Sequence, residues 1–120
     1  MSDAASWKES SRRGVMTTTA ERLTRIQESI DAAAGKVEAD AGASPVFGAV
    51  VQELARKAHK AVDGLSGADD AAVRTAIVEL EQAADSAKVA AEADLGASGA
   101  ARQAVIDAHL AICILKTKTA

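Results

Sequence analysis

The sequence predicts an all-α protein, an antiparallel up-and-down four-helix bundle with a flexible N-terminal tail. Composition gives the first reason, because a quarter of the 120 residues are alanine and only one is proline, a bias that favours helix. In four segments, apolar residues recur at steps of three and four, the spacing of one helix face. Short connections separate these segments, so consecutive helices are expected to pack antiparallel.

Start and stop signals set the expected bounds of each element. Thr18 and Glu21 have capping-box spacing, and Ser66 and Asp69 repeat it. Ser44 precedes a proline at a first helical position, and Ser98 is the expected cap of the last helix. The expected segments are a polar tail over 1–16 and a bundle over 17–117, with helices over 18–41, 45–64, 68–94 and 99–116. The two halves do not align well enough to indicate an internal repeat.

The apolar residues on the inner faces of the helices form the expected core. They are Leu23, Ile26, Ile30, Ala33 and Val37; Phe47, Val50, Val51, Leu54, Ala58, Ala61 and Leu65; Val73, Ile77, Leu80, Ala84 and Ala87; and Ala101, Val105, Ala108, Ile112 and Leu115. Gly35 interrupts the first helix and is expected to weaken it by about 1 kcal/mol relative to alanine. Opposite charges four residues apart, as at Glu53 and Lys57, indicate solvated outer faces.

Composition also argues against several classes of function. A formal charge of −3 argues against binding to nucleic acid, and no apolar run is long enough to span a membrane. One cysteine excludes a disulfide framework. We expect no cofactor, because the chain has no glycine-rich phosphate loop and almost no aromatic residues to grip a flat group. These features favour a cytoplasmic, non-enzymatic protein.

The fourth helix has apolar residues on two faces, although a helix in a simple bundle buries only one. Its expected inner face centres on Ala108 and Ile112. The opposite face has a second apolar set, named here the outer stripe: Ile106, Leu110, Cys113 and Ile114. Because a helix with two apolar faces is expected to be buried on both, the outer stripe predicts a homodimer. The alternatives are cover by the N-terminal tail through Trp7, or by a different protein.

His59 is the candidate catalytic residue, since the helical wheel places it on the solvent side with Arg56 and Lys60. An exposed histidine on a four-helix bundle is similar to a histidine phosphotransfer domain. The resemblance implies that the imidazole accepts a phosphoryl group whose charge a nearby lysine offsets. That family has lysine three and glycine four residues after the histidine. Here Lys60 follows by one, Val62 occupies the third position and Gly64 follows by five, which favours a surface histidine without a catalytic role.

Two further clusters of polar side chains each have both a functional and a structural interpretation. His109 and Cys113 are spaced to share a metal ion, but zinc needs more ligands than this chain's histidines and cysteine supply, so we expect no metal site. Glu81 and Asp85 are like charges four residues apart, which a basic patch on a neighbouring helix or on a partner would offset, although a solvated face that keeps the protein soluble is the favoured interpretation. The favoured function is therefore a protein interaction or assembly module. The alternatives are phosphotransfer through His59 and a bundle that binds a small apolar ligand.

Overall fold

The computed structural model describes residues 18–65 and 67–119, and these residues form four α-helices. They are α1 (Thr19–Ala39), α2 (Pro45–Asp63), α3 (Asp70–Ala93) and α4 (Gly99–Thr119). The helices pack in a closed square, α1 on α2, α2 on α3, α3 on α4 and α4 on α1. The predicted antiparallel four-helix bundle is confirmed. The predicted tail, residues 1–16 with Trp7, lies outside the described residues.

Side-chain caps start all four helices, and the predicted cap at Ser98 is confirmed. The side chains of Thr18, Ser44, Asp69 and Ser98 accept hydrogen bonds from the backbone N–H groups three residues on, at 3.1, 3.2, 2.8 and 3.1 Å. The cap of α3 is Asp69, whose carboxylate satisfies an N–H group that has no partner within the helix, so α3 begins at Asp70 rather than at 68. Ser66, the predicted cap, is outside the described residues.

The core runs the length of the bundle and is entirely apolar. The inward residues predicted for α1 and α4 are all buried, and so are Phe47, Val51, Leu54, Ala58 and Ala61 in α2. Val50, Leu65 and Val73 are only half-buried and pack against the edge of the core. Every buried residue in the described part of the chain is apolar, so burial of apolar surface is the main stabilising term here.

Two connections at the same end of the bundle have nearly identical sequences. Residues 38–44 read EADAGAS and residues 92–98 read EADLGAS, an offset of 54 positions. The helices repeat with the same offset, since α2 begins at Pro45 and α4 at Gly99. Buried positions repeat with the same offset: the buried Leu23 corresponds to the buried Ile77, and the buried Val51 corresponds to the buried Val105. The repeat that alignment of the two halves did not indicate is therefore present: in the described part of the chain, α1–α2 and α3–α4 form two equivalent helical hairpins.

The two hairpins differ in several core residues as well as on their surfaces. Equivalent buried positions pair a large residue with a small one: Phe47 with Ala101, Leu54 with Ala108, Ile112 with Ala58, Leu115 with Ala61, and Ile30 with Ala84. Facing elements that alternate large and small side chains fill a shared core at native density. This divergence also explains why a direct comparison of the halves conceals the repeat.

The repeated connections bind each other, and we call residues 40–44 and 94–98 together the clasp. The Asp40 carboxylate accepts a hydrogen bond from the Ser98 N–H at 2.6 Å, and the Asp94 carboxylate accepts one from the Ser44 N–H at 2.8 Å. The other oxygen of Asp40 accepts from the Gly42 N–H at 2.9 Å, which closes a local turn. The same turn recurs in the second connection. An aspartate carboxylate of each hairpin thus accepts a hydrogen bond from a backbone N–H group of the other hairpin.

These contacts make the clasp sensitive to acid. The Ser98 and Gly42 N–H groups lower the pKa of Asp40, and chiefly the Ser44 N–H group lowers the pKa of Asp94. Because both folded-state values lie below the unfolded value of about 3.9, this stabilisation is present at neutral pH and is lost as pH falls below about 4, through the folded-state pKa values.

We therefore expect the double variant Asp40→Asn, Asp94→Asn to melt at a lower temperature than the wild type at pH 7. Below about pH 4 the difference is expected to shrink, because the wild-type carboxylates are then protonated as well. Circular-dichroism melts from about pH 2.5 to about pH 7, a range that spans the ordinary aspartate pKa of about 3.9, measure this change. Asp63→Asn, at an exposed aspartate outside the clasp, is the control. An equal difference at all pH values would contradict the role of the carboxylate charges.

Candidate functional site

The outer stripe lies along the exposed side of α4. Leu110 is 58% exposed and Ile114 is 46% exposed, whereas Ile106 and Cys113 are half-buried. The buried face of the same helix contains Ala108 and Ile112, as expected. Leu110 and Ile114 therefore present apolar surface to solvent.

The internal repeat supplies a direct comparison for this surface. Ile106, Leu110 and Ile114 of α4 correspond to Gln52, Arg56 and Lys60 of α2, which are all exposed. The same helix face is thus polar on α2, in the first hairpin, and apolar on α4, in the second hairpin. Because the polar set is compatible with this fold, packing within the bundle does not require Leu110 and Ile114 to be apolar, whereas Ile106 packs partly against the core.

A basic edge on α1 borders the outer stripe. Arg22, Arg25 and Ile26 line a shallow groove together with Ile114 on α4. Lys36 lies eleven residues after Arg25, three helical turns further along the same side of α1. The groove side of α1 is therefore positively charged at both ends.

An acidic edge on α3 borders the stripe on its other side. Two ion pairs lie here, Glu81 with Lys116 at 2.8 Å and Glu92 with Lys88 at 3.2 Å, and the Asp85 carboxylate contacts His109 Nε2 at 2.6 Å. Lys116 and His109 thus lie beside the like charges of Glu81 and Asp85. The Asp85 and Glu92 side chains remain 59% and 53% exposed, so both carboxylates are accessible to a partner.

The thiol of Cys113 lies beside His109 but is poorly arranged for nucleophilic catalysis. Its sulfur is 3.6 Å from His109 Nε2, the same nitrogen that contacts Asp85 at 2.6 Å. One nitrogen cannot both take the thiol proton and be oriented by the carboxylate. Burial, followed by the negative charges of Glu81 and Asp85, raises the pKa of Cys113, which keeps the thiol protonated.

A metal site is not formed around His109 and Cys113 in the described part of the chain. Among residues 18–65 and 67–119, no group of three or more histidine, cysteine, aspartate or glutamate side chains is arranged to hold a metal ion. His109 instead joins α4 to α3 through Asp85, and its side chain is only 17% exposed. Its contacts are those of a residue that holds two helices together.

His59 is exposed, as the helical wheel predicts, but it is paired with an acidic residue. Its Nε2 atom lies 2.9 Å from both carboxylate oxygens of Asp31 on α1. An incoming phosphoryl group is anionic, so a carboxylate on the same nitrogen repels it. The neighbouring Lys60 is exposed and also contributes to a separate cavity. The arrangement therefore favours a surface ion pair over a phosphoryl acceptor.

A cavity of about 170 Å³ opens between α2 and α3, near the connection that joins them. Its walls are mostly apolar: Leu23, Ala61, Leu65, Ala68, Ala72, Val73 and Ala76. Lys57, Lys60 and Glu79 are the charged residues that line it. The sequence places Lys57 on a solvated face and Lys60 beside His59, and Glu79 has no distinguishing pattern, so none of the three indicates a cavity.

The clasp was also missed, although the sequence contains a signal for it. The motif Glu-Ala-Asp-x-Gly-Ala-Ser occurs twice, and a search for short repeats detects it. Within the described residues, no helix is long and apolar enough to cross a membrane. Comparison with known proteins found no matching family model, no matching curated protein and no matching solved structure.

Proposed function

We propose that this protein is a small, non-enzymatic assembly module of the cytoplasm that forms a homodimer through the outer stripe. The comparison between α2 and α4 is the observation that carries the proposal. The exposed positions 56 and 60 of α2 are Arg and Lys, whereas the equivalent exposed positions 110 and 114 of α4 are Leu and Ile, and the half-buried Ile106 extends this apolar face. Exposed apolar residues that packing within the bundle does not require are typical of an interface.

Charge complementarity supports a second copy of this chain as the partner. A two-fold axis parallel to α4 places the α1 side of each copy against the α3 side of the other. Arg22 and Arg25 lie level with the C-terminal half of α4, as does Glu81 across from them on α3. The basic edge of each copy then faces the acidic edge of its partner, and the two outer stripes meet between them.

The same charges disfavour the opposite orientation. A two-fold axis at right angles to α4 makes the two α4 helices antiparallel and brings the basic edges together. Arg25 of each copy would then lie near Lys36 of the other, and like charges at an interface oppose association. We therefore propose a dimer in which the α4 helices run parallel.

The size of the stripe indicates a reversible dimer. Complete burial of one leucine or isoleucine side chain contributes about 1.5–3 kcal/mol. Leu110 and Ile114 are already about half buried, so each gains only part of that amount on dimerisation. Since association also costs translational and rotational freedom, dimerisation is expected to depend strongly on concentration.

The test replaces the outer stripe by the side chains that the repeat places on α2. The triple variant Ile106→Gln, Leu110→Arg, Ile114→Lys is expected to be a folded monomer, because the equivalent face of α2 already carries these residues in this fold. Sedimentation velocity and native mass spectrometry across a concentration series measure the mass against the 12.2 kDa chain.

Arg56→Ala is the matched control, since it truncates the residue equivalent to Leu110 on the polar helix and is expected to leave the dimer intact. Leu110→Asp and Ile114→Asp are expected to act like the triple variant. A wild type that is monomeric at every concentration overturns the proposal. A triple variant that remains dimeric shows that the interface lies elsewhere.

A further inference from the structure

We infer that the cavity between α2 and α3 is a binding site for a short-chain aliphatic carboxylate. The inference rests on the size of the cavity, its apolar walls and the lysines that line it, and it does not depend on dimerisation. The cavity lies between α2 and α3, whereas the outer stripe faces outward from α4. A ligand here and a second copy on α4 can therefore bind at the same time.

The volume of the cavity sets the size of the apolar group. An apolar protein cavity of about 150 Å³ holds a molecule of six carbon atoms. The present cavity, at about 170 Å³, suits an aliphatic chain of similar size. Leu23, Leu65 and Val73 provide the branched side chains that such a chain contacts, and alanines supply most of the remaining wall.

The charges that line the cavity set the polar group of the ligand. Lys57 and Lys60 lie on α2 and project one helical turn apart, so both ammonium groups can approach one carboxylate. Glu79 lies across the cavity on α3. Two positive charges against one negative charge favour an anion, and Glu79 disfavours it only in part.

The internal repeat supplies a counterpart for this cavity. It is the groove of about 210 Å³ between α1 and α4, where Arg22, Arg25 and Ile114 occupy the positions equivalent to Ala76, Glu79 and Lys60. The two grooves therefore differ in the side chains that line them and not in whether a cavity is present. Small residues make the cavity between α2 and α3 deep and apolar, and Lys57 and Lys60 give it a preference for an anionic ligand.

Titration of the full-length protein with hexanoate, followed by ¹⁵N–¹H NMR, tests the inference. We expect shifts confined to residues around the cavity, with Gly64, Leu65 and Val73 among them, and a dissociation constant on the order of 1 mM or below for so small a ligand. Hexanol and hexylamine, which have the same chain, are expected to bind more weakly than hexanoate.

Two variants separate the roles of shape and charge. Ala76→Leu is expected to abolish hexanoate binding by filling the cavity, whereas Lys57→Ala, Lys60→Ala is expected to remove the preference for hexanoate over hexanol. Glu79→Gln is expected to tighten hexanoate binding, and circular dichroism verifies that each variant is folded. The inference is overturned if hexanoate does not bind, if hexylamine binds as tightly, or if Ala76→Leu binds hexanoate like the wild type.

Discussion

Gly42→Ala is expected to destabilise the bundle strongly, because the clasp leaves no room for a side chain at this position. A β carbon built on Gly42 lies 2.0 Å from the Gly96 carbonyl oxygen, and one built on Gly96 lies 2.6 Å from the Gly42 carbonyl oxygen. Both obstacles are backbone atoms, so a rotamer change cannot relieve the clash. The two connections must separate, and the hydrogen bonds of Asp40 and Asp94 to the opposite hairpin are then broken.

The expected loss in the free energy of unfolding is about 3 kcal/mol or more, at the upper end of what overpacking costs. Urea unfolding followed by circular dichroism measures it, and Gly96→Ala is expected to behave alike. Gly35→Ala is the matched control, because no neighbouring atom lies within 4 Å of its β carbon. Within a helix this change is expected to stabilise by about 1 kcal/mol. A Gly42→Ala variant as stable as the wild type would show that the connections do not pack closely.

Phe47→Ala is expected to cost about 3–5 kcal/mol, the usual range for removal of a fully buried phenylalanine. The ring is 0% exposed, and the equivalent position of the second hairpin is the buried Ala101. Since small domains have a total stability of about 5–15 kcal/mol, this variant is expected to lose a large share of its stability.

Ala101→Phe alone is also expected to destabilise, by about 1–3 kcal/mol, because it overpacks a filled core. The double variant Phe47→Ala, Ala101→Phe exchanges the large and small residues between equivalent positions. We expect it to be more stable than the sum of the two single changes predicts. Urea unfolding of all four proteins gives this coupling as a double-mutant cycle. Strict additivity would contradict the proposed complementarity of the two hairpins.

The homodimer proposal and the carboxylate-binding proposal rest on the same property of the molecule. Its two hairpins have the same architecture but different surface residues. On α4 the outer stripe is apolar where α2 is polar. The cavity between α2 and α3 is lined by Ala76, Glu79 and Lys60, whereas the equivalent groove between α1 and α4 is lined by Arg22, Arg25 and Ile114. Equivalent positions of the two hairpins occupy the same place in the fold. Differences between their side chains are therefore not required by the fold, and they indicate what each surface does.

Most of the fold could be predicted from local signals. Ser44 and Pro45 indicate the start of α2, and the spacing of Leu23, Ile26 and Ile30 identifies the buried face of α1. Such signals act within one or two helical turns, so they are readable without any knowledge of the partners. The outer stripe was found in the same way, because its four residues share one helix face.

The contacts that join distant parts of the chain could not be predicted. The two hydrogen bonds that close the clasp join residues 58 and 50 positions apart. His59 was identified as an exposed histidine, but its pairing with Asp31 depends on how α1 and α2 pack. The cavity likewise needs two helices and the connection between them, and none of its lining residues is unusual alone.

The sequence by itself determined the four helices, their inner faces and the apolar outer stripe, because periodicity and capping are properties of local chain geometry. Only the tertiary structure decided that Asp40 and Asp94 hold the opposite hairpin, that His59 faces a carboxylate and that Lys57 and Lys60 line a cavity. Each of these depends on the register of packed helices. That register follows from how large and small side chains fill a shared core, which no single segment specifies.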